Sequence, residues 1–381
     1  MDSSVYIDHN ATTPPLPEVI SAVCSAMGLT GANPSSVHAN GRAARKLIDD
    51  ARCSIATLVG AMEDQVVFTS GGSESNNTVI IGAGRRRVLV SPTEHAAVLK
   101  TVLTRTGDSD LVPVDKDGLV DLEALEALLA EDEEPALVCI MAANNETGVL
   151  QPMAEISDLA HRHGALVHCD AVQAVGKIPV DIMAWGVDFL ALSGHKIGGP
   201  QGIGALVRCT NSPLDSLITG GGQERGLRAG TENVAAISGL GVAGRIAAET
   251  LVDKSTRLKG YRDALETGIK ALSPATTIFC EDVPRLPNTS NFTLPGIRSD
   301  KQLMTLDLAG VSVSAGSACS AGKVEPSHVL DSMDVDPDIS TTALRASFGW
   351  SSEETDVERF LDAWGDLTRR QSSGNMKAIS K

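Results

Sequence analysis

The chain has 381 residues, 42% hydrophobic and 21% charged, enough for one large domain and a smaller one. Its 32 basic and 48 acidic residues leave a net charge of −16, which argues against general nucleic-acid or membrane-surface binding. Aromatics are 3%, too few for a base-stacking platform.

Seven cysteines stand at 24, 53, 139, 169, 209, 280 and 319, and the nearest two are 29 positions apart. That spacing disfavours a clustered zinc site, so no metal site is expected. An odd, scattered set fits reduced thiols in a cytosol. The N-terminus has neither the basic region nor the apolar core of a signal peptide. No apolar run reaches about 18 residues, so no membrane span and a cytoplasmic location are expected.

In chain order, Tyr6-Ile7-Asp8-His9-Asn10-Ala11-Thr12-Thr13-Pro14-Pro15 reads as a short extended piece closed by a proline turn. Asn33-Pro34-Ser35-Ser36 caps a long helix running toward Gly60. Strands and helices then alternate. A strand over 65–70 precedes a helix from about Ser73, and a strand over 87–91 precedes a helix from about Ala96. A turn at 115–118 leads to a helix over 121–131, then a fully apolar strand over 136–143. A helix over 153–163 and a strand over 166–170 follow, and strands at 188–193 and 204–208 flank a lysine-bearing loop. This alternation, with continuously apolar strands, predicts an α/β fold: a mostly parallel sheet covered by helices on both faces.

The pattern changes after about 255. A helix near 256–272, strands at 277–280 and 290–294, a helix at 299–309, a glycine-rich loop at 314–322 and an amphipathic helix over 353–368 predict a smaller α+β domain. The expected division is a large domain over 16–255 and a small one formed by 1–15 with 256–381. The polar tail 371–381 is expected to fray.

Ser193-Gly194-His195-Lys196 follows the apolar run 188–192. Lys196 is either a lysine snorkelling from a strand end or an amine that bonds covalently to an aldehyde cofactor. Ser193 and His195 suit a phosphate, and the neighbouring glycines admit a ligand close to the backbone. Gly71-Gly72-Ser73 between a strand and a helix presents N–H groups at a positive helix end, which also suits a phosphate; the alternative is an ordinary turn. Asp170, ending its strand, could keep a pyridine nitrogen protonated or merely cap a helix. Gln173, three residues on, could bond a phenolic oxygen. His95 could stack on a flat ring and carry protons, or be structural. Asn145, in Asn144-Asn145-Glu146-Thr147-Gly148, sits where α/β sheets bind ligands. Arg345 could hold a carboxylate with both arms of its guanidinium, or form a surface ion pair. Cys319 lies among small residues in Ser317-Ala318-Cys319-Ser320-Ala321-Gly322, which suggests a nucleophile on a mobile loop rather than a core thiol.

Together with Asn33-Pro34-Ser35-Ser36-Val37-His38, Thr93-Glu94-His95, Arg228-Ala229-Gly230-Thr231-Glu232-Asn233 and Glu325-Pro326-Ser327-His328-Val329-Leu330, these motifs resemble the cysteine desulfurases of the class V aminotransferase family. The resemblance runs from Tyr6 to about Phe360. The Cys319 loop looks like that of the nitrogen-fixation and iron–sulfur-cluster group rather than the short-loop group.

The resemblance implies the type I fold of pyridoxal-phosphate transferases and conversion of L-cysteine to L-alanine, with a persulfide on Cys319. Lys196 would hold pyridoxal 5′-phosphate covalently and His95 would stack on its ring. Asp170 would pair with the ring nitrogen and Gln173 with the phenolic oxygen. Gly72, Ser73, Ser193 and His195 would hold the phosphate, helped by Thr231 of a second subunit in a homodimer. Asn145 and Arg345 would orient the substrate carboxylate. The implied partner is an iron–sulfur scaffold or other sulfur acceptor. Selenocysteine lyase, class V transaminase and a non-catalytic sulfur-transfer scaffold are the rival readings. A transaminase has no use for a loop thiol, and a dead scaffold none for the full residue set. Two departures stand out: Gly72-Ser73 replaces an Ala-Thr common in relatives, and Gln201 stands where many carry a basic residue.

Overall fold

A computed structural model describes residues 4–31, 33–104, 108–209, 211–315 and 326–372. Strand β1 (Val5–Tyr6) leads to helix α1 (Pro17–Met27) and α2 (Ala39–Leu58). The cap of α2 differs from expectation. His38 caps it, its Nδ1 accepting the Gly41 N–H at 3.2 Å, whereas the Asn33 side chain closes a local turn on the Ser35 N–H. Asn–Pro geometry favours such a turn over a helix start.

Next come β2 (Val66–Thr69), α3 (Gly72–Gly82), β3 (Val88–Val90), α4 (Ala96–Thr104), β4 (Ser109–Leu111) and α5 (Leu122–Glu131), the last capped by Asp121. They are followed by β5 (Leu137–Cys139), α6 (Met153–Arg162), β6 (Leu166–Asp170), α7 (Ile182–Trp185), β7 (Phe189–Ser193) and β8 (Gly204–Arg208). Strand β5 is shorter than the apolar run 136–143. Beyond Cys139 the chain keeps only alternate bonds to its neighbour, Ile140 N–H to His168 at 3.1 Å and Ala142 N–H to Asp170 at 3.0 Å. Burial, not ladder geometry, sets the apolarity of that run.

These strands make a seven-stranded sheet in the order β2-β8-β7-β6-β5-β3-β4. Pairs β7–β6, β6–β5, β5–β3 and β3–β4 are parallel, whereas β8 is antiparallel to both neighbours. The inner strands are buried on both faces, as their apolar sequences require.

Helix α8 runs unbroken from Val234 to Leu272, 39 residues, and is capped by Asn233. The helix expected near 256–272 is only its second half. It is long and apolar enough to cross a membrane by length and composition, yet more than half of its most apolar stretch is buried in the protein. Ile237, Leu240 and Ala243 join the core under the large sheet; Leu258, Leu265 and Ile269 join a second core.

That second core is built by β9 (Thr289–Thr293), α9 (Ser299–Leu308), β10 (Val311–Ser312), β11 (Ser314–Ala315), β12 (Ala343–Ser347) and α12 (Glu354–Ser372), whereas α10 (His328–Ser332), which precedes α11 (Pro337–Ser340), packs Val329 and Leu330 into a smaller cluster with Val149 and Phe279. Both chain ends feed the second core: Val5 and Ile7 pack with Phe292, Leu344, Phe360 and Trp364. Strand β1 pairs with β10, and β11-β12-β9 form an antiparallel sheet. The strand expected at 277–280 is reduced to a single bridge between Ile278 and Phe292, because Cys280 turns the chain with φ of +57°.

Candidate active site

Strands β3, β5, β6 and β7 run in one direction, and β2 shares it because two antiparallel steps through β8 separate it from β7. Their carboxyl ends therefore meet at one edge of the sheet, where open α/β sheets form ligand crevices. This brings together Gly72, Ser73, His95, Asn145, Asp170, Gln173, Ser193, His195 and Lys196. The segment 8–16 closes the edge: His9 N–H bonds Ser347 at 3.0 Å, Thr13 N–H bonds His195 at 2.8 Å and Leu16 N–H bonds Gly198 at 2.9 Å.

Lys196 follows β7 on a short 3₁₀ turn. Its amine points inward, donating to the main-chain oxygens of Asn10 and of Ala11, the latter at 2.8 Å. Burial, aided by Arg345, lowers its pKa to about 8, against the pull of Asp8 and Asp170. An amine so placed is partly uncharged near neutral pH, the state in which it is nucleophilic.

Asp170 is buried, and both its oxygens are engaged: Oδ2 accepts from Asn76 Nδ2 at 2.7 Å and Oδ1 from the Val172 N–H at 3.0 Å. Asn76 in turn meets His168 Nε2 at 2.9 Å. Burial pushes the His168 pKa down to about 4, so it is neutral at physiological pH. The carboxyl group is thus oriented by neutral partners at the crevice. His95 stands at the open mouth, its Nδ1 accepting the Ala97 N–H at 3.1 Å. The surrounding walls lower its pKa, with Asp170 opposing and Lys196 and His328 reinforcing the shift.

The phosphate side is built by close backbone approach. Gly71, at φ +151°, lies against Gly204, where an added Cβ would come 2.7 Å from the Gly71 Cα. No side chain caps the helix that starts at Gly72, so its first N–H groups remain open donors. The Ser193 hydroxyl lies 3.8 Å from where a Gly71 Cβ would stand. His195 Nδ1 pairs with Thr12 Oγ1 at 3.1 Å, and burial with two nearby lysines lowers its pKa to about 4. An uncapped helix end, a buried carboxylate and an inward amine on one edge suit a phosphorylated pyridine aldehyde.

Arg345, on β12, is buried rather than at the surface. It donates to Asp8 Oδ1 at 2.7 Å and to the Asn145 carbonyl at 2.8 Å, and its Nε has no partner among the described residues. Asn145 presents its backbone to Arg345 and Asn10. Thr231 is exposed in the loop entering α8. Cys319 lies outside the described residues, as does most of its loop. The chain re-enters at Pro326, where Ser327 Oγ donates to Glu146 Oε2 at 2.5 Å and His328 Nε2 meets the Glu94 carbonyl at 2.9 Å.

Four residues of this crevice escaped the sequence reading as site residues: Asn10, Glu94, Glu146 and Lys177. All are buried. Asn10 is a hub, bonded to Ser347, Thr289, Asn288, Gln173, Lys177 and Lys196. Glu94 accepts the Met141 N–H on one oxygen and has no partner on the other among the described residues; burial and Asp170 raise its pKa well above the usual range. Only Lys177 interrupts an apolar stretch; Asn10, Glu94 and Glu146 stand in polar segments, where local sequence gives no signal of burial.

The class V aminotransferase family model matches residues 5–360. The chain is 40% identical to an IscS-like cysteine desulfurase of Mycobacterium tuberculosis over 371 residues, covering 94% of each chain. It is 39% identical to the cysteine desulfurase NifS of Azotobacter vinelandii, covering 94% of this chain and 91% of that one. A solved NifS-like protein from Rickettsia africae superposes with a TM-score of 0.89 at 36% identity, covering 96% of this chain and 99% of that one. The motifs, the crevice and these likenesses agree: the chain belongs to the class V aminotransferase family, in its cysteine desulfurase branch.

Proposed function

We propose that this protein is a pyridoxal-phosphate-dependent cysteine desulfurase that converts L-cysteine to L-alanine and supplies the sulfur for iron–sulfur cluster assembly. The observation that carries the proposal is the inward amine of Lys196, set on one sheet edge with His95 and Asp170, with Arg345 of strand β12 bearing on it. When bound, the cofactor supplies an electron sink for the substrate carbon. Lys196 anchors it and afterwards moves a proton at its freed Nζ. His95 covers the ring face and serves as second proton carrier. Asp170 holds a proton on the ring nitrogen through its negative charge. Gln173 donates to the phenolic oxygen. Gly72, Ser73, Ser193 and His195 hold the phosphate. Arg345 and Asn145 orient the substrate carboxylate, with Asp8 keeping the guanidinium in place. The thiolate of Cys319 takes the sulfur, and the electron pair of the broken C–S bond stays with the fragment that leaves as alanine.

The working unit is a homodimer in which Thr231 reaches the partner's phosphate site, and the protein acts in the cytoplasm on a scaffold or other acceptor. The chain divides at about 255 into a large domain over 16–255 and a small one made of 1–15 and 256–381. The holoprotein, given L-cysteine and a thiol reductant, should release alanine and sulfide in equal amounts. Release of a keto acid without sulfide would instead identify a transaminase.

A further inference from the structure

Lys177 is buried, and its amine meets no carboxylate among the described residues. It donates to two side-chain amides, Gln173 Oε1 at 2.5 Å and Asn10 Oδ1 at 2.8 Å. The charged groups bearing on it are Lys196, Arg345 and Lys254, all cationic, and it in turn bears on His9 and His195. Lys177, Lys196 and Lys254 line one cavity of about 50 Å³. Burying an amine without an acidic partner costs free energy that a packed apolar side chain would not. The hydrogen bonds show what it gains.

The orientation of the Gln173 amide follows from its neighbours. The Asn10 carbonyl can only accept, so the atom 3.0 Å from it is Gln173 Nε2. Oε1 therefore faces Lys177, which must donate. The same Asn10 carbonyl accepts from Lys196. Gln173 Nε2 and the Lys196 amine thus converge on one oxygen, and the second N–H of Gln173 has no bond among the described residues.

We infer that Lys177 is a positioning residue for the reaction: it holds Gln173 by its oxygen and so keeps the amide N–H₂ turned toward the group bound at Lys196. Without it the amide can turn over and present oxygen to oxygen. The inference rests on the assignment of Gln173 to the phenolic oxygen of the cofactor.

The test is the visible absorption of the resting holoprotein, titrated with pH in the absence of substrate. Loss of a donor to the phenolic oxygen favours protonation there, so Gln173→Ala should raise the titration midpoint by about one pH unit. Lys177→Met should raise it toward the same value, and Lys177→Gln, the variant to read if the methionine does not fold, should raise it too. In the Gln173→Ala background Lys177→Met should add little, because its effect passes through the amide. A normal midpoint in the Lys177 variants beside a shifted Gln173→Ala overturns the inference, and so does full additivity. An unshifted Gln173→Ala removes the reading of Gln173 itself, and this inference with it.

Discussion

The Lys196 amine lies 2.8 Å from the main-chain oxygen of Ala11, a residue 185 positions earlier in the chain. Lys196 is therefore positioned by the N-terminal segment, which belongs to the second core through Val5 and Ile7. The same segment buries the polar side chains of His9, Asn10 and Thr13.

Lys196→Ala should keep the fold, because its neighbours Ala11 and Asn10 lose only donors to main-chain oxygens. Turnover should fall by at least ~10²-fold, the scale of a lost proton carrier, and the lysine-bound visible band should vanish. Mixing this variant with Thr231→Ala should restore activity, since one site of the mixed dimer would carry neither defect. An active monomer by light scattering, or a band retained at another lysine with full activity, would overturn the assignment.

Glu146 ties Ser327, just past the cysteine loop, to the sheet edge. Burial raises its pKa from 4.5 to about 7, against the pull of Ser327 and Arg345. A raised carboxyl pKa contributes stability that is fully present below about 4.5 and lost as pH rises through about 7. Glu146→Gln keeps the contact without the titration. From about pH 5 to pH 8 the variant should gain on the wild type by up to roughly 3 kcal/mol. Urea midpoints at the two pH values measure it, and parallel curves for both proteins would refute it.

Arg52 and Glu224 form a buried pair with two bonds, of 2.8 and 2.9 Å, and Glu224 also accepts the Phe68 N–H at 2.9 Å. Glu224 sits at φ +45°, a conformation held by these bonds. The pair fastens the 220–231 loop to helix α2, and the Phe68 bond fastens it to strand β2. Glu224→Ala strands a buried guanidinium and should cost about 3–5 kcal/mol. Chemical denaturation reads this directly; a loss below ~1 kcal/mol, typical of an exposed ion pair, would show that the pair does not hold the loop.

Cys319→Ala should retain bound cofactor and still change its spectrum on adding L-cysteine, while releasing essentially no sulfide. Mass spectrometry of the wild-type protein after brief exposure should place one added sulfur atom on the Cys319 peptide. Alanine at any of the other six cysteines should leave the chemistry intact. Cys139 and Cys169 are fully buried, and burial raises the Cys169 thiol well above its usual range, which suits packing rather than attack. Sulfur on another cysteine would end this mechanism.

The sequence by itself determined the elements and their chemistry. Strands over 166–170 and 204–208 are read within a residue, because strands buried on both faces are mostly apolar whatever the direction of their neighbours. Lys196, Asp170 and His95 stand out because ionisable residues at the ends of such runs break a local pattern. Tertiary structure decided what each of them faces. The unbroken helix Val234–Leu272 was not legible, because its face changes from one core to the other and no single period spans it. The His38 cap was hidden behind a stronger turn signal in Asn33-Pro34. Arg345 gave no sign of Asp8, nor Lys177 of Asn10, since pairs 337 and 167 residues apart leave no mark in local spacing. A periodic pattern records which side of an element is buried. Only the folded chain fixes which two buried polar groups meet, because desolvation forces each to find a partner wherever topology brings one.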